Sequence, residues 1–277
     1  MHVRNKLEQL SKEDSMRISN LYYNYHISIE QLAKMEERFQ NEILGVLWSN
    51  NPQHFFKTKE LSSISLPGDS LLVISDTHIG SNKMNMDYII EAYKYARTKK
   101  INDILHLGDL MQSTMCGVQN SLRNEERQIN FILNHYPYYK KIKTHILLGN
   151  HDYKTLMKSK IYLEMLKSRR DFNLLGFKRC YITWQGKLLS LNHPIEHYHL
   201  KLPYKNDTIL NLYGHRHGLL VKNNCIYLPT LSDDLKHYGK EKIEPGWIVL
   251  QKENATLRIE NYRIQEKNPE LLLVKKL

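Results

Sequence analysis

The residues in this chain of 277 amino acids that could do chemistry lie in five short polar blocks. The blocks are Asp76-Thr77-His78, Gly108-Asp109, Gly149-Asn150-His151-Asp152, His193 and Gly214-His215-Arg216-His217. Carboxylate and amide oxygens together with imidazole nitrogens are metal ligands, and this mixture suits Mn, Fe or Zn better than Mg or Ca, which prefer oxygen ligands alone. The blocks contain enough ligands for two divalent metal ions, and Mn is the metal favoured.

Each block follows an apolar run, in the way that ligands follow buried strands. The runs are LLVIS, DILHL, HILLG, LLSLN and TILNLY. Ligands at the carboxyl ends of strands meet at one edge of a sheet. Gly108 lets the backbone approach closely, and the two oxygens of Asp109 could bridge two cations.

Strand and helix patterns alternate from Leu71 onward, with helices expected over about 86–99 and 123–135. This alternation favours a layered α/β sheet. Beyond Phe177 the sequence predicts three hairpins, around Gln185-Gly186, Asn223-Asn224 and Glu253-Asn254. An α/β half followed by a hairpin-rich half indicates two facing sheets covered by helices.

Residues 1–66 show no strand pattern and are interpreted as a helical N-terminal extension. The stretches from Ser11 to Tyr23 and from Ser28 to Trp48 carry apolar residues at helical spacing, and the two serines are suitable N-caps. Pro52, Pro67 and Gly68 indicate a linker before the first strand. The sequence therefore predicts two domains, 1–66 and 67–277.

Part of this extension, SIEQLAKMEERFQNEILGVL, is similar to a DNA-binding helix-turn-helix, with Ala33 and Ile43 at suitable spacing. Glu37 replaces the usual turn glycine, and the segment has a slightly negative charge. Docking of a partner or homo-oligomerisation through residues 1–66 is the favoured alternative to DNA binding.

Charge and composition limit the class of protein. The formal net charge is +11, but residues 1–70 hold eight Lys/Arg against nine Asp/Glu, so the excess lies in the remainder. That excess favours a phosphate-rich partner, although a basic surface without a partner remains open. There is neither a run of eighteen apolar residues nor a signal-peptide pattern, which predicts a cytoplasmic protein without a membrane partner. Three cysteines without a CxxC pair indicate free thiols.

The five blocks, in this order, resemble the DxH, GD, GNH[DE], H and GHxH motifs of the calcineurin-like metallophosphoesterase superfamily. The resemblance covers about residues 71–250 and implies a four-layer αββα sandwich with a dinuclear metal site at the strand ends. It also implies which residues hold the metals. Asp76, His78 and His217 would bind one ion, Asn150, His193 and His215 the other, and Asp109 would bridge them, while His151 would be the catalytic histidine.

Two such ions would activate a shared water and stabilise the transition state of phosphate ester hydrolysis, so that metal-bound water attacks phosphorus directly. His151 lies in the turn that carries Asn150. It is therefore placed to stabilise the transition state or to protonate the leaving oxygen, with Asp152 as a candidate orienting group.

The second block departs from the GDxxDRG motif of protein serine/threonine phosphatases, because Gln112 and Ser113 replace its second Asp and its Arg. This argues against a phosphoprotein substrate. The SDTHIGS and GDL stretches resemble the nuclease and nucleotide-phosphodiesterase branches. The sequence predicts a phosphodiesterase or nuclease acting on DNA, RNA or nucleotides. A small-molecule phosphomonoesterase and a nucleic-acid-binding scaffold are the alternatives.

A basic band follows the third block, with aromatic residues between the cations. Its cations are Lys154, Lys158, Lys160, Lys167, Arg169, Arg170, Lys178 and Arg179, and its aromatics are Tyr153, Tyr162, Phe172 and Phe177. Such a band could track a phosphodiester backbone and stack bases. The alternative, slightly favoured, is that the aromatics face the core and the cations are the solvated face of a helix.

Overall fold

The protein is described by a computed structural model. The structure describes residues 11–23, 29–38, 43, 46–47, 64–114, 122, 124–156, 160–194, 208–233, 244–264, 266 and 268–276. The chain divides into two compact units, Met1–Lys57 and Thr58–Leu277. The domain boundary predicted from the sequence lies further along the chain, between residues 66 and 67.

The N-terminal unit contains helices α1 (Lys12–Tyr23) and α2 (Ile29–Met35). Ser11 caps α1, since its hydroxyl accepts a hydrogen bond from the Asp14 amide at 3.0 Å. The helical stretch predicted from Ser28 to Trp48 is interrupted after α2, where Glu37 adopts a left-handed backbone with φ 51° at the turn position of the helix-turn-helix alternative. The described core of this unit consists of Ile18, Leu32, Ala33, Ile43, Val46 and Leu47.

The larger unit contains two β-sheets. Its strands are β1 (Ser65–Leu66), β2 (Ser70–Ile74), β3 (Asp103–Leu107), β4 (Lys143–Leu148), β5 (Phe172–Phe177), β6 (Arg179–Trp184), β7 (Lys187–Asn192), β8 (Thr208–Tyr213), β9 (Leu220–Lys222), β10 (Cys225–Tyr227), β11 (Gly246–Glu253), β12 (Thr256–Arg263) and β13 (Glu270–Lys276). Seven strands form one sheet in the order β13-β12-β11-β2-β3-β4-β5, and six form the other in the order β1-β6-β7-β8-β10-β9.

The two sheets face each other across one apolar core. Alternate residues of both sheets supply it, including Val73 and Leu105 from the seven-stranded sheet and Ile182, Leu191 and Leu212 from the six-stranded sheet. Because side chains alternate along a strand, the residues between these face outward. The two sheets with their helices are the α/β metallophosphoesterase sandwich that the sequence predicts, so the fold class is confirmed.

Helices separate the parallel strands of the seven-stranded sheet. They are α3 (Met86–Thr98), α4 (Glu125–His135), α5 (Asn150–Leu156) and α6 (Lys160–Lys167). Asn85 caps α3 and Asn124 caps α4, each through its side-chain oxygen. Tyr93 of α3 packs on the sheet and hydrogen-bonds Thr144 of β4 at 2.6 Å. With β2, β3, β4 and β5 parallel, their carboxyl ends lie at one edge.

The three predicted hairpins are present. Two turn at Gln185-Gly186 and Asn223-Asn224 as predicted, and the third turns one residue later, at Asn254-Ala255. The sequence patterns did not predict β5 or β13. They also missed β1, which lies at the end of the predicted N-terminal extension but pairs with β6. No helix in the described part of the chain is long and apolar enough to cross a membrane.

Candidate metal centre

The loops that follow β2 and β3 run side by side beyond the sheet. The amides of Asp76 and His78 donate to the carbonyls of Gly108 and Asp109, both at 3.0 Å. The amide of Ile79 then continues the ladder to the carbonyl of Leu110. This pairing fixes the two loops in register, so the side chains of the first and second blocks are held at the same edge.

Five of the seven predicted metal ligands have a left-handed backbone, which non-glycine residues rarely adopt. Their φ angles are 56° at Asp76, 44° at His78, 52° at Asp109, 78° at His215 and 58° at His217. Such a conformation costs about 1–3 kcal/mol per residue and clusters at functional sites. These conformations therefore lower the stability of the fold, and they direct the five side chains into one place.

Asp76, His78 and His217 form the first cluster. The Nε2 atoms of the two histidines lie 3.1 Å apart, and they are 3.8 Å and 3.4 Å from Oδ1 of Asp76. That oxygen is buried and has no hydrogen-bond partner. The other oxygen, Oδ2, accepts from the Ser75 hydroxyl and from the His215 amide. A buried, unsatisfied carboxylate oxygen facing two imidazole nitrogens fits a cation.

Asp109, His193 and His215 form the second cluster. Nε2 of His193 lies 3.2 Å from Oδ2 of Asp109 and 3.0 Å from Oδ1 of Asn150. Its Nδ1 donates to the carbonyl of Leu107 at 2.6 Å. When the ring is neutral, Nε2 is therefore unprotonated, and it points into the cluster. This is the arrangement in which a histidine ligates a metal.

Two glycines allow the ligands to approach. Gly108 has φ 92°, and a Cβ there would collide with the His193 ring. A Cβ on Gly149 would collide with the Asp109 carboxylate. These glycines are therefore required by the site itself.

His151 stands between the two clusters. Its Nδ1 donates to the backbone carbonyl of Gln112 at 2.7 Å, and its amide donates to Oδ1 of Asp109 at 2.9 Å. Its Nε2 lies 3.9 Å from Oδ2 of Asp109, and its ring meets His78 edge-on at 4.9 Å. The Gln112 carbonyl thus orients His151, a backbone role that the residue types do not reveal.

Asp152, predicted as a candidate orienting group for His151, has a different role. Its carboxylate is fully buried and accepts three backbone hydrogen bonds, from Leu110 at 3.2 Å, Met111 at 2.9 Å and Gly149 at 2.8 Å. It therefore joins the loop after β3 to the start of α5. Three backbone donors already occupy its two oxygens, so this side chain positions loops.

The clustered charges shift the pKa values of the site. Burial tends to raise the pKa of Asp109, but the charges of His193 and His151 lower it well below its ordinary value. Burial lowers the pKa of His78 to about 3, and His151 adds to the effect. Burial also tends to lower the pKa of His193, yet Asp109 raises it to about 9. Burial and the Asp109 charge raise the pKa of Asp152 to about 7.

Where it is described, the basic band is divided: Lys167 and Arg170 are exposed, as the solvated-face alternative expects, whereas Arg169 is not. Arg169 is buried, pairs with Asp171 at 2.5 Å and donates to three backbone carbonyls. Tyr153, Phe172 and Phe177 are buried as well, as the structural alternative expects. The side chains of Lys154, Lys158 and Lys160 lie outside the described residues.

The comparison with protein families decides the classification. A sequence model described as calcineurin-like phosphoesterase matches residues 70–270. The chain belongs to the calcineurin-like phosphoesterase family. The general activity of this family is phosphoester hydrolysis with divalent metals, and the two clusters contain candidate ligands for such metals.

Similar folds occur among solved structures. The phosphoesterase YfcE from E. coli is 15% identical, with a TM-score of 0.45 over 75% of this chain and 98% of its own. Zn²⁺-complexed Vps29 from Entamoeba histolytica is 13% identical, with a TM-score of 0.44 over 75% of this chain and 98% of its own. A predicted phosphoesterase from Streptococcus pneumoniae is 14% identical, with a TM-score of 0.41 over 76% and 97%. A search of curated proteins found no significant match.

Proposed function

We propose that this protein is a metal-dependent phosphodiesterase acting on nucleic acid or nucleotides. The observation that carries the proposal is the pair of clusters, Asp76/His78/His217 and Asp109/His193/His215, with His151 against both Asp109 and His78. Asn150 adds an amide oxygen to the second cluster. Oδ2 of Asp109 lies near His193 of the second cluster and His78 of the first, so this carboxylate could bind both cations.

The two clusters would hold two divalent cations, and their mixture of carboxylate, amide and imidazole donors suits Mn, Fe or Zn, of which Mn is our first choice. When bound, such ions would lower the pKa of a bound water and neutralise charge on the phosphoryl oxygens. Among the described residues, two carboxylates, Asp76 and Asp109, contribute to these clusters. Two dications would therefore leave the centre positive, which favours a phosphate ester.

His151 is the residue we assign to proton transfer. Its Nδ1 is committed to the Gln112 carbonyl, so its Nε2 is the atom that faces the clusters. Protonated at Nε2, the ring could donate to the leaving oxygen, since the hydrogen bond from its Nδ1 to Gln112 orients the ring and the hydrogen bond from its amide to Asp109 holds its backbone. Such acid catalysis contributes about a hundred- to ten-thousandfold to the rate.

Two features favour a diester over a phosphoprotein. Gln112 is buried, and its backbone carbonyl orients His151. The protein phosphatase motif has an acidic residue at this position, and this chain does not. Beside the ligand loops, the Lys178 amide donates to the carbonyl of Leu148, and its carbonyl accepts from the amide of His193. The next residue, Arg179, donates to Oδ1 of Asn192 at 2.7 Å, directly before His193, and adds positive charge there that suits a polyanion.

The experiment is a substrate panel with the purified protein in Mn²⁺, Zn²⁺ or Fe²⁺. We expect bis-p-nitrophenyl phosphate, a diester, to be hydrolysed faster than p-nitrophenyl phosphate, a monoester. We also expect hydrolysis of DNA, RNA or cyclic nucleotides, which are diesters. A preference for the monoester would contradict the diester assignment. Binding of nucleic acid without hydrolysis of any substrate would favour a scaffold instead.

A further inference from the structure

A stack of three side chains lies beside the candidate metal centre and takes no part in it. The guanidinium carbon of Arg216 lies 4.9 Å from the centroid of the Tyr227 ring. On its other side Tyr227 stacks on Tyr213, with centroids 4.8 Å apart and planes inclined by 22°. We call Arg216, Tyr227 and Tyr213 the Arg-Tyr stack.

The strands explain how the two tyrosines meet. Tyr213 ends β8 and Tyr227 ends β10, and the two residues are partners in the parallel register. Leu212 and Ile226 point into the core between the sheets. The adjacent tyrosines therefore share the outward face, at the same strand ends that carry the ligands.

The turn explains how the arginine reaches them. Arg216 stands between His215 and His217, both of which have a left-handed backbone and belong to the clusters. This turn holds the two imidazoles in the site while the arginine side chain lies over Tyr227. Arg216 is the sequence neighbour of both histidines, so its Cα lies about 3.8 Å from the Cα of each.

Exposure increases along the stack. Tyr213 is buried, Tyr227 is partly buried and Arg216 is exposed. A guanidinium that packs over an aromatic ring can stack a second planar group on its other face and still donate in its own plane. The stack therefore has a buried end at Tyr213 and an exposed end at Arg216.

We propose that the Arg-Tyr stack binds an unpaired nucleobase of the substrate, next to the phosphate held at the metal centre. The proposal rests on the proposed phosphodiesterase function and names its substrate class as nucleoside phosphodiesters or single-stranded nucleic acid. Every base has a π-face, so such a surface tolerates different sequences. A paired base cannot stack on the surface, so duplex is the poorer ligand.

Two chromogenic diesters with the same leaving group test the proposal. Thymidine 5′-(p-nitrophenyl phosphate) and ethyl p-nitrophenyl phosphate both release p-nitrophenolate and differ only in the nucleoside. Stacking of one base is worth about five- to a hundredfold in affinity. We expect wild type to prefer the thymidine ester, and Arg216→Ala and Tyr227→Leu to lower that preference by this factor in kcat/KM.

Matched variants separate stacking from other causes. Tyr227→Phe keeps the ring and should keep the preference. Arg97→Ala removes another exposed arginine that lies 5.1 Å from an aromatic centroid, that of Tyr139, and should leave the preference unchanged. If Arg216→Ala lowered both esters equally, Arg216 would only position the turn and the proposal would be overturned.

A binding measurement keeps the two proposals distinguishable. Anisotropy of fluorescein-labelled oligothymidylate in EDTA should show at least fivefold weaker binding to Arg216→Ala than to Arg97→Ala, and weaker binding of a duplex to wild type. Equal binding by the two variants, or no binding by wild type, would overturn the nucleobase site. Failure of wild type to hydrolyse either ester, with this binding intact, would contradict only the phosphodiesterase function.

Discussion

Asp152→Asn should destabilise the apo protein by about 1–3 kcal/mol at pH 4. Oδ2 of Asp152 accepts from the amides of Leu110 and Gly149, and Oδ1 accepts from the amide of Met111. An asparagine can keep its oxygen on the first pair, but its NH₂ group then faces the Met111 N–H. The hydrogen bond from Met111 is lost and its buried N–H is left unsatisfied, which costs about 1–3 kcal/mol.

At higher pH, removal of the charge acts in the opposite direction. Burial and Asp109 raise the pKa of Asp152 to about 7, so above its unfolded pKa the ionised carboxylate lowers the stability of the fold, by up to about 1.4 kcal/mol per pH unit. Urea unfolding in EDTA at pH 4 therefore measures the effect of the hydrogen bond on the free energy of unfolding. The control is Glu91→Gln, which makes the same carboxyl-to-amide change at an exposed position of α3. If the two variants unfolded within about 0.5 kcal/mol of each other, the role given to Asp152 would be refuted.

Three further outcomes are expected. His151→Ala should lower kcat by about a hundred- to ten-thousandfold while calorimetric Mn²⁺ titration shows nearly unchanged affinity. Arg169→Met should cost about 3–5 kcal/mol in urea unfolding, because it leaves Asp171 buried without its partner. Burial raises the pKa of Tyr93 above its ordinary value, so the folded state holds this proton more tightly. Stability from Tyr93 is then present below about pH 10 and lost as pH rises further, with a slope of up to about 1.4 kcal/mol per pH unit. Tyr93→Phe should reduce that alkaline slope.

Each of these outcomes has a contrary result. Weaker Mn²⁺ binding by His151→Ala with wild-type kcat at saturating Mn²⁺ would exclude the proton-transfer role. A cost below about 1 kcal/mol for Arg169→Met would place the pair among exposed ion pairs such as Lys167 with Glu164. An identical alkaline slope in Tyr93→Phe would show that other groups govern unfolding there.

The sequence was informative where one local rule decides the structure. Apolar runs with β-branched residues predicted β2, β3 and β4, and two-residue turns predicted the hairpins, because strand period and turn type are local properties. The blocks that follow these strands predicted which side chains meet. The carboxyl ends of parallel strands necessarily share an edge, which explains why Asp76 and Asp109 lie together.

Contacts that depend on backbone atoms could not be predicted in this way. The Gln112 carbonyl orients His151, and Asp152 binds three backbone amides. Because nearly all residue types carry the same backbone groups, the sequence does not indicate which of these groups make such contacts. Left-handed angles at His215 and His217 are also set by the surrounding fold, since only a minority of histidines adopt them. The Arg-Tyr stack depends on the register of β8 with β10.

β5 and the interrupted helix show the same limit on a larger scale. β5, FNLLGF, lacks a clear alternation and contains Gly176, so its pairing with β4 decides its conformation. In the N-terminal unit the apolar spacing continues through Glu37, while the chain turns there. A helical spacing of apolar residues is equally compatible with one long helix and with two that pack together.

Hydrolysis of bis-p-nitrophenyl phosphate in Mn²⁺, by wild type and by Asp109→Asn, tests the proposed metal centre most directly. We expect wild type to turn over the diester, to lose that activity in EDTA and to regain it with Mn²⁺. Asp109→Asn should be at least about a hundredfold slower, because Asp109 is the carboxylate that we propose to bind and neutralise both cations. Equal turnover by the two proteins, or equal inertness in every metal, would contradict the dinuclear phosphodiesterase.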